Sequence, residues 1–253
     1  MTAELIKSNL NLYAVLQNLE DVVAWDPEMK AFTASWRISI QFSVWNGPQA
    51  HIVFENGGCR VGRGIIPAPT VKLFFLSPAH LNRMMAGKGN PIPLKGFTKL
   101  PFLAKDFATL TARLEHFLKP TEKLLADEFY LTMNTRLTMN TAVFAVPELA
   151  KLDPIARLAV GHMRNGPILM KILPEGPAVH VFFNNGAIEA GRGDVDKPMA
   201  CMFMRNVQVA NAFLNGKMDA FSAIAAGDVV IKGQTPMLDA MSLVLDRIPL
   251  YLS

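Results

Sequence analysis

The sequence predicts an α+β fold: two tandem domains, each a roughly five-stranded, mainly antiparallel sheet covered by helices on one side. Three observations predict it. First, the chain repeats itself. A shift of 129 positions lays Gly47-Pro48 on Gly176-Pro177, His51 on His180, Phe54 on Phe183, Asn56-Gly57 on Asn185-Gly186 and Gly62-Arg63-Gly64 on Gly191-Arg192-Gly193. The ungapped match continues through Pro69, Phe74, Asn82 and Gly87-Lys88, which meet Pro198, Phe203, Asn211 and Gly216-Lys217. Second, each copy shows short strand-like segments with turn signals between them, then amphipathic helices. Third, the chain has 253 residues, 51% of them hydrophobic and 18% charged, enough to bury two cores without staples. The domains are expected at 1–125 and 126–253.

Each copy opens on a helical lead-in, expected at Leu10 to Val23 and at about Pro147 to Met163. Trp36 to Val44 then alternates, with Trp36, Ile38, Ile40, Phe42 and Val44 on one face and Arg37, Ser39, Gln41 and Ser43 on the other, a half-buried strand. Gly47-Pro48 turns into Ala50 to Phe54, and Asn56-Gly57 is a hairpin signal into Cys59 to Arg63. Val71 to Leu76 is more continuously apolar. Ser77 and Pro78 start a helix that Gly87 stops, and Asn206 and Gly216 do the same in the second copy. A last strand is clearest at Asp228 to Lys232. Each copy closes on an amphipathic helix, striped by Phe107, Leu110, Leu114 and Phe117 in the first and by Met237, Met241, Val244, Leu245 and Ile248 in the second.

Composition narrows the function classes. The net charge of +4 is mild, and no basic tract with interleaved aromatics points to nucleic acid. The two cysteines, Cys59 and Cys201, form no metal or redox motif, so a reduced, cytoplasmic setting is expected. Met1 to Leu10 carries Glu4 and Lys7 and does not read as a signal peptide. The most apolar stretch, Pro236 to Leu252, is broken by Asp239, Asp246 and Arg247, so no membrane span is expected. The 14 methionines suit either ordinary gap-filling or a cavity that accepts variable apolar shapes.

The run Phe213-Leu214-Asn215-Gly216-Lys217-Met218-Asp219, followed by Phe221 to Gly233, resembles the sterol carrier protein 2 family. That family has a helix ending in Gly-Lys, a short link, a Gly-initiated strand ending in Lys-x-Gly, and a closing apolar helix. Leu81 to Pro91 carries the first part of this pattern in the other copy. The first copy is the divergent one: Thr98 stands at the expected strand-opening glycine and Pro101 falls inside the expected strand, which implies an edge or distorted strand and a remodelled pocket. The second copy is closer to the family pattern. The resemblance implies a five-stranded sheet with helices around an apolar tunnel, and ligands such as sterols, fatty acyl chains, acyl-CoA or phospholipids.

No HExxH, GxSxG, Walker loop, helix-opening GxGxxG or metal-spaced His/Cys cluster is present, so neither a catalytic residue nor a cofactor is expected. Arg63 and Arg192, each between glycines, are either anion contacts or strand residues beside a bend. His51 and His180 read as structural histidines bonded to a neighbouring strand more readily than as proton shuttles. Lys88 and Lys217 suit helix C-termini. The expected ligand site is an apolar pocket in the second copy, walled by Phe183, Phe203, Phe213, Met237, Met241 and Leu245, with Arg192 as the polar contact. The closing helix lies between Gly233 and Pro249 with few later residues to tie it down, so ligand is expected to pass beside it, and loss of Tyr251 to Ser253 is expected to matter little. The expected partner is an apolar small molecule such as a lipid or acyl chain, with transient membrane-surface contact or a protein partner beside it. The competing reading is a non-catalytic scaffold whose pockets are filled with side chains.

Overall fold

The computed structural model describes residues 2–252; Met1 and Ser253, the outer ends of the two expected domains, lie outside the described residues. The chain divides into two compact units, Met1–Lys119 and Pro120–Tyr251.

In unit one, α1 (Ala3–Leu10) passes through a π-helical turn (Asn11–Val15) towards α2 (Asn18–Trp25) and α3 (Pro27–Thr33). The strands β1 (Ile38–Val44), β2 (Gln49–Glu55), β3 (Gly58–Arg63) and β4 (Val71–Phe75) follow, then α4 (Pro78–Met85) and β5 (Ile92–Lys95). A run of a 3-10 turn (Phe97–Lys99), α5 (Leu100–Phe102) and a second π-helical turn (Leu103–Phe107) leads into α6 (Ala108–Leu118). Unit two has α7 (Glu122–Leu125), α8 (Glu128–Leu152) and α9 (Pro154–Val160), then β6 (Gly166–Ile172), β7 (Ala178–Asn184), β8 (Ala187–Arg192), β9 (Ala200–Met204) and α10 (Val207–Leu214). It ends with α11 (Ala220–Ala225), β10 (Val229–Gly233), α12 (Thr235–Leu245) and α13 (Pro249–Leu252).

Each unit is an α+β fold on one five-stranded sheet, in the orders β3-β2-β1-β4-β5 and β10-β9-β6-β7-β8. The sheets are mixed. β1 pairs β4 in parallel, as β6 pairs β9, while the remaining ladders are antiparallel. Both hairpins close as the Asn-Gly signal requires, with positive φ at both turn residues: 52° and 74° at Asn56-Gly57, 49° and 87° at Asn185-Gly186. The caps also form. Ser77 accepts from the His80 N–H and Asn206 from the Val209 N–H.

One sheet face in unit one is largely apolar, with Ile40, Phe42, Ala50, Ile52, Phe54, Val71 and Phe75 all buried. The polar face of β1 is less open than its alternation suggests. Gln41 is fully buried, because the link from β3 to β4 crosses that face. Gln41 Nε2 donates to the carbonyls of Phe42, Ala50 and Gly64, and its Oε1 accepts from the Ile66 N–H at 3.0 Å. In unit two the same register position, opposite the histidine of the neighbouring strand, holds Leu169.

Three expectations are corrected. The second lead-in does not begin at Pro147: α8 starts at Glu128, and Pro147 sits inside its 25 residues. An internal proline removes one helix hydrogen bond, but the buried neighbours Val143, Val146 and Leu149 hold this helix by packing. The last strand of the first copy neither opens near Thr98 nor contains Pro101. It is Ile92–Lys95, and Pro101 lies in α5. Gly96 and Gly233 are the true equivalents. Both have φ near 85°, and a Cβ on either would strike the chain at Thr70 or at Met199, positions that the shift superposes. Finally, α12 does not run to Pro249. It ends at Leu245, and Pro249 opens α13.

Candidate functional site

The helix-facing side of the second sheet is rich in methionine. Met170 pairs with Val179 and with Met202, and Met204 follows two residues on, so all three share the face that carries Val181 and Phe183. α12 packs on β9 and brings Met237 and Met241. All five methionines are buried. Long unbranched thioethers facing one another across sheet and helix make an interior that repacks at low cost.

The expected wall residues do not form one group. Phe183, Met237 and Met241 are buried, and Leu245 is half-buried on α12. Phe213 is half-buried on α10. Phe203 pairs with Lys171 and Val230 on the opposite sheet face, where the Lys232 ammonium lies 5.7 Å from its ring centre. Strand alternation separates it from Met202 and Met204. Arg192 is on the helix-facing side, opposite Val179, with its guanidinium 4.9 Å above the Phe144 ring of α8. Arg63 stacks likewise on Tyr13, at 4.2 Å. The repeated arginine thus clamps the lead-in helix to the outer strand by cation–π contact.

The other repeated residues also acquire roles. His180 lies over Gly191, where any Cβ would overlap the imidazole, and its Nδ1 lies 3.0 Å from the Gly193 carbonyl. His51, Gly62 and Gly64 repeat this arrangement, at 3.3 Å. Asn211 is buried and donates to Asn134 Oδ1 at 2.7 Å and Thr135 Oγ1 at 2.9 Å. Its counterpart Asn82 accepts from Asn11 and donates to Glu4. These asparagines tie α10 and α4 to the lead-in helices.

Sequence reasoning missed a latch. Asp153 caps α9 by accepting from the Ile155 and Ala156 N–H groups, and its other oxygen accepts from Arg247 Nε and Nη2 at 3.1 Å and from the Tyr251 hydroxyl at 2.6 Å. The carboxylate is wholly buried. Burial pushes its pKa up, but the Tyr251 hydroxyl, the Ala156 N–H and Arg247 together hold it below the ordinary range. Burial also pushes Tyr251 up, and the adjoining Asp153 adds to that. The expectation that the end of the chain leaves the closing helix untied is therefore corrected: Arg247 and Tyr251 fasten it. Unit one has the same device. Asp26 caps α3, and Arg113 Nε of α6 donates to it at 2.6 Å. The Asp-Pro pairs are 127 positions apart rather than 129, which hides them from an ungapped comparison.

Among the described residues, no group of His, Cys, Asp and Glu is placed to hold a metal ion, and no helix is long and apolar enough to cross a membrane.

The molecule is thus a tandem pair of five-stranded α+β units with a methionine-rich layer under the closing helix of the second. No protein-family model and no curated protein matches the chain. Several similar solved structures are sterol carrier protein 2 domains, at low identity and partial coverage. Sterol carrier protein 2 from Yarrowia lipolytica, in its apo form, is 13% identical with a TM-score of 0.31 over 40% of this chain and 91% of that one. Sterol carrier protein 2 like 2 from Aedes aegypti is 11% identical with a TM-score of 0.29 over 42% and 95%. A stereoselective inverting sec-alkylsulfatase from Pseudomonas sp. is 12% identical with a TM-score of 0.28, over 56% of this chain and 28% of that one.

Proposed function

We propose that unit two binds an apolar small molecule, such as a lipid, a fatty acyl chain or a sterol-like molecule, without covalent catalysis. The observation that supports this reading is the set of five buried methionines, Met170, Met202, Met204, Met237 and Met241, on facing layers of sheet and closing helix. Phe183 and Leu245 extend that wall. Burial of ligand hydrocarbon drives binding, at about 0.8 kcal/mol per methylene. Phe213 borders the site, Phe203 lies on the far side of the sheet, and Arg192 secures the outer strand.

Native mass spectrometry of the freshly purified protein, with a fluorescent fatty-acid titration, tests this. Bound lipid and a Kd raised about tenfold by Met241→Trp, which fills the layer, support it. Tight binding by Met241→Trp with unchanged unfolding sinks this placement.

The scaffold reading is favoured by a different observation. Ile155 and Leu158 on α9 are 51% and 70% exposed, and Leu243, on the helix packed against α9, is 55% exposed. An apolar surface of this kind suits a protein partner. Protein that carries no lipid and binds none would leave that reading standing.

A further inference from the structure

We propose that unit one carries a separate binding site, for a small amphiphile with an apolar body and one negative charge, such as a medium-chain carboxylate. The site is an open cleft of about 300 Å³ where the chain enters β1, lined chiefly by Ser35, Trp36, Arg37, Lys99, Phe102 and Asp106. Its floor is aromatic and fixed. The Trp36 ring packs edge-on against Phe32, Phe54 and Phe102, with centroids 5.4, 5.0 and 4.8 Å away. Its rim carries two cations, Arg37 and Lys99, against one carboxylate, Asp106. Among the described residues neither cation is paired with a carboxylate; Arg37 makes only a long contact of 3.5 Å to Asn56 Oδ1. An apolar floor beneath an unpaired cationic rim selects a ligand with an apolar body and an anionic end.

The cleft belongs to unit one because the chain there is built differently. After Gly96, the residues 97–107 fold as a 3-10 turn, α5 and a π-helical turn, and this run supplies Lys99, Phe102 and Asp106. In unit two only Gln234 separates Gly233 from α12, so no counterpart of that run exists. π-Helical turns are uncommon and concentrate at functional sites. The volume lies at the low end of small-molecule sites, about 300–1,000 Å³, which suits one short chain rather than a sterol. The site is independent of the methionine-lined interior of unit two.

Trp25 and Trp45 are 56% and 63% exposed, so phenylalanine at both leaves a folded protein with Trp36 as its sole tryptophan. That protein is titrated with decanoate, decanol and decyltrimethylammonium below their micelle concentrations. A saturable change in Trp36 emission with decanoate is expected, weakened about tenfold or more by Lys99→Glu. Decyltrimethylammonium should bind weakly to the parent and no worse to Lys99→Glu, an exposed substitution. Lys151→Glu, the same charge change at an exposed position of unit two, should leave the titration unchanged. No saturable response to decanoate, or equal responses to all three amphiphiles, overturns the proposal whether or not unit two holds lipid.

Discussion

Arg247 reaches Asp153 across 94 positions of sequence and donates twice to one carboxylate oxygen at 3.1 Å. Because the other oxygen caps α9, one buried side chain joins the start of one helix to the end of the chain. Arg247→Ala should lower the stability of unit two by about 1.5–3 kcal/mol, the usual worth of hydrogen bonds to a charged group. Asp153→Ala should cost about 1 kcal/mol more, for the lost cap. Urea unfolding followed by circular dichroism reads both, and a neutral Arg247→Ala would show that the latch holds nothing.

The same carboxylate sets a pH dependence. Its folded pKa is depressed, so its stabilising contribution is present above the unfolded value of about 3.9 and is lost as pH falls through the folded one. The Tyr251 pKa is raised, so its contribution holds below the unfolded value of about 10 and is lost as pH rises through the folded one. Thermal melts across the acid range should show a decline that Asp153→Asn flattens. Tyr251→Phe should flatten the alkaline limb. Parallel curves for parent and variants would dissociate the latch from both limbs.

Gly191 and His180 should behave as a coupled pair. Gly191→Ala puts a methyl into the imidazole and should cost about 1–3 kcal/mol, the ordinary range for overpacking. With His180→Ala already in place the same substitution should cost much less. A double-mutant cycle measures the difference; additive effects would mean that the glycine serves only backbone geometry.

Asn211→Leu should destabilise by about 1–3 kcal/mol, because it removes two buried hydrogen bonds, to Asn134 and Thr135, that join α10 to α8. Amide exchange should then quicken in both α8 and α10. Faster exchange in α10 alone would mean that the asparagine does not couple them.

Turn chemistry made much of this fold legible. Asn-Gly pairs, Ser-Pro and Asn caps and strand alternation are local signals, and they located the β1–β4 segments and α4 from Ile38 to Met85 to within two residues. What stayed hidden depends on partners distant in sequence. Asp153 finds Arg247, and Asp26 finds Arg113, at offsets that differ between the copies. The last strand of unit one was misplaced because its counterpart in unit two follows α11, a helix with no equivalent in unit one, so a fixed shift runs past Lys95-Gly96. In the candidate site, burial of Met237 and Met241 could be read from the stripe, but the side of the sheet taken by Phe203 depended on the register of β9.

A duplicated fold must keep its halves from exchanging strands while the chain is still finding its shape. Gln41 and Leu169 occupy the same register position in the two sheets. Were β6 to add to the first sheet, Leu169 would leave the Ile66 N–H without an acceptor and the Ala50 and Gly64 carbonyls without the donor that Gln41 supplies. Each hydrogen bond lost this way costs about 0.5–1.5 kcal/mol, which disfavours the wrong strand. One buried glutamine thus makes two similar sheets distinguishable to the chain that builds them, a sorting device against the misassembly to which tandem repeats are prone.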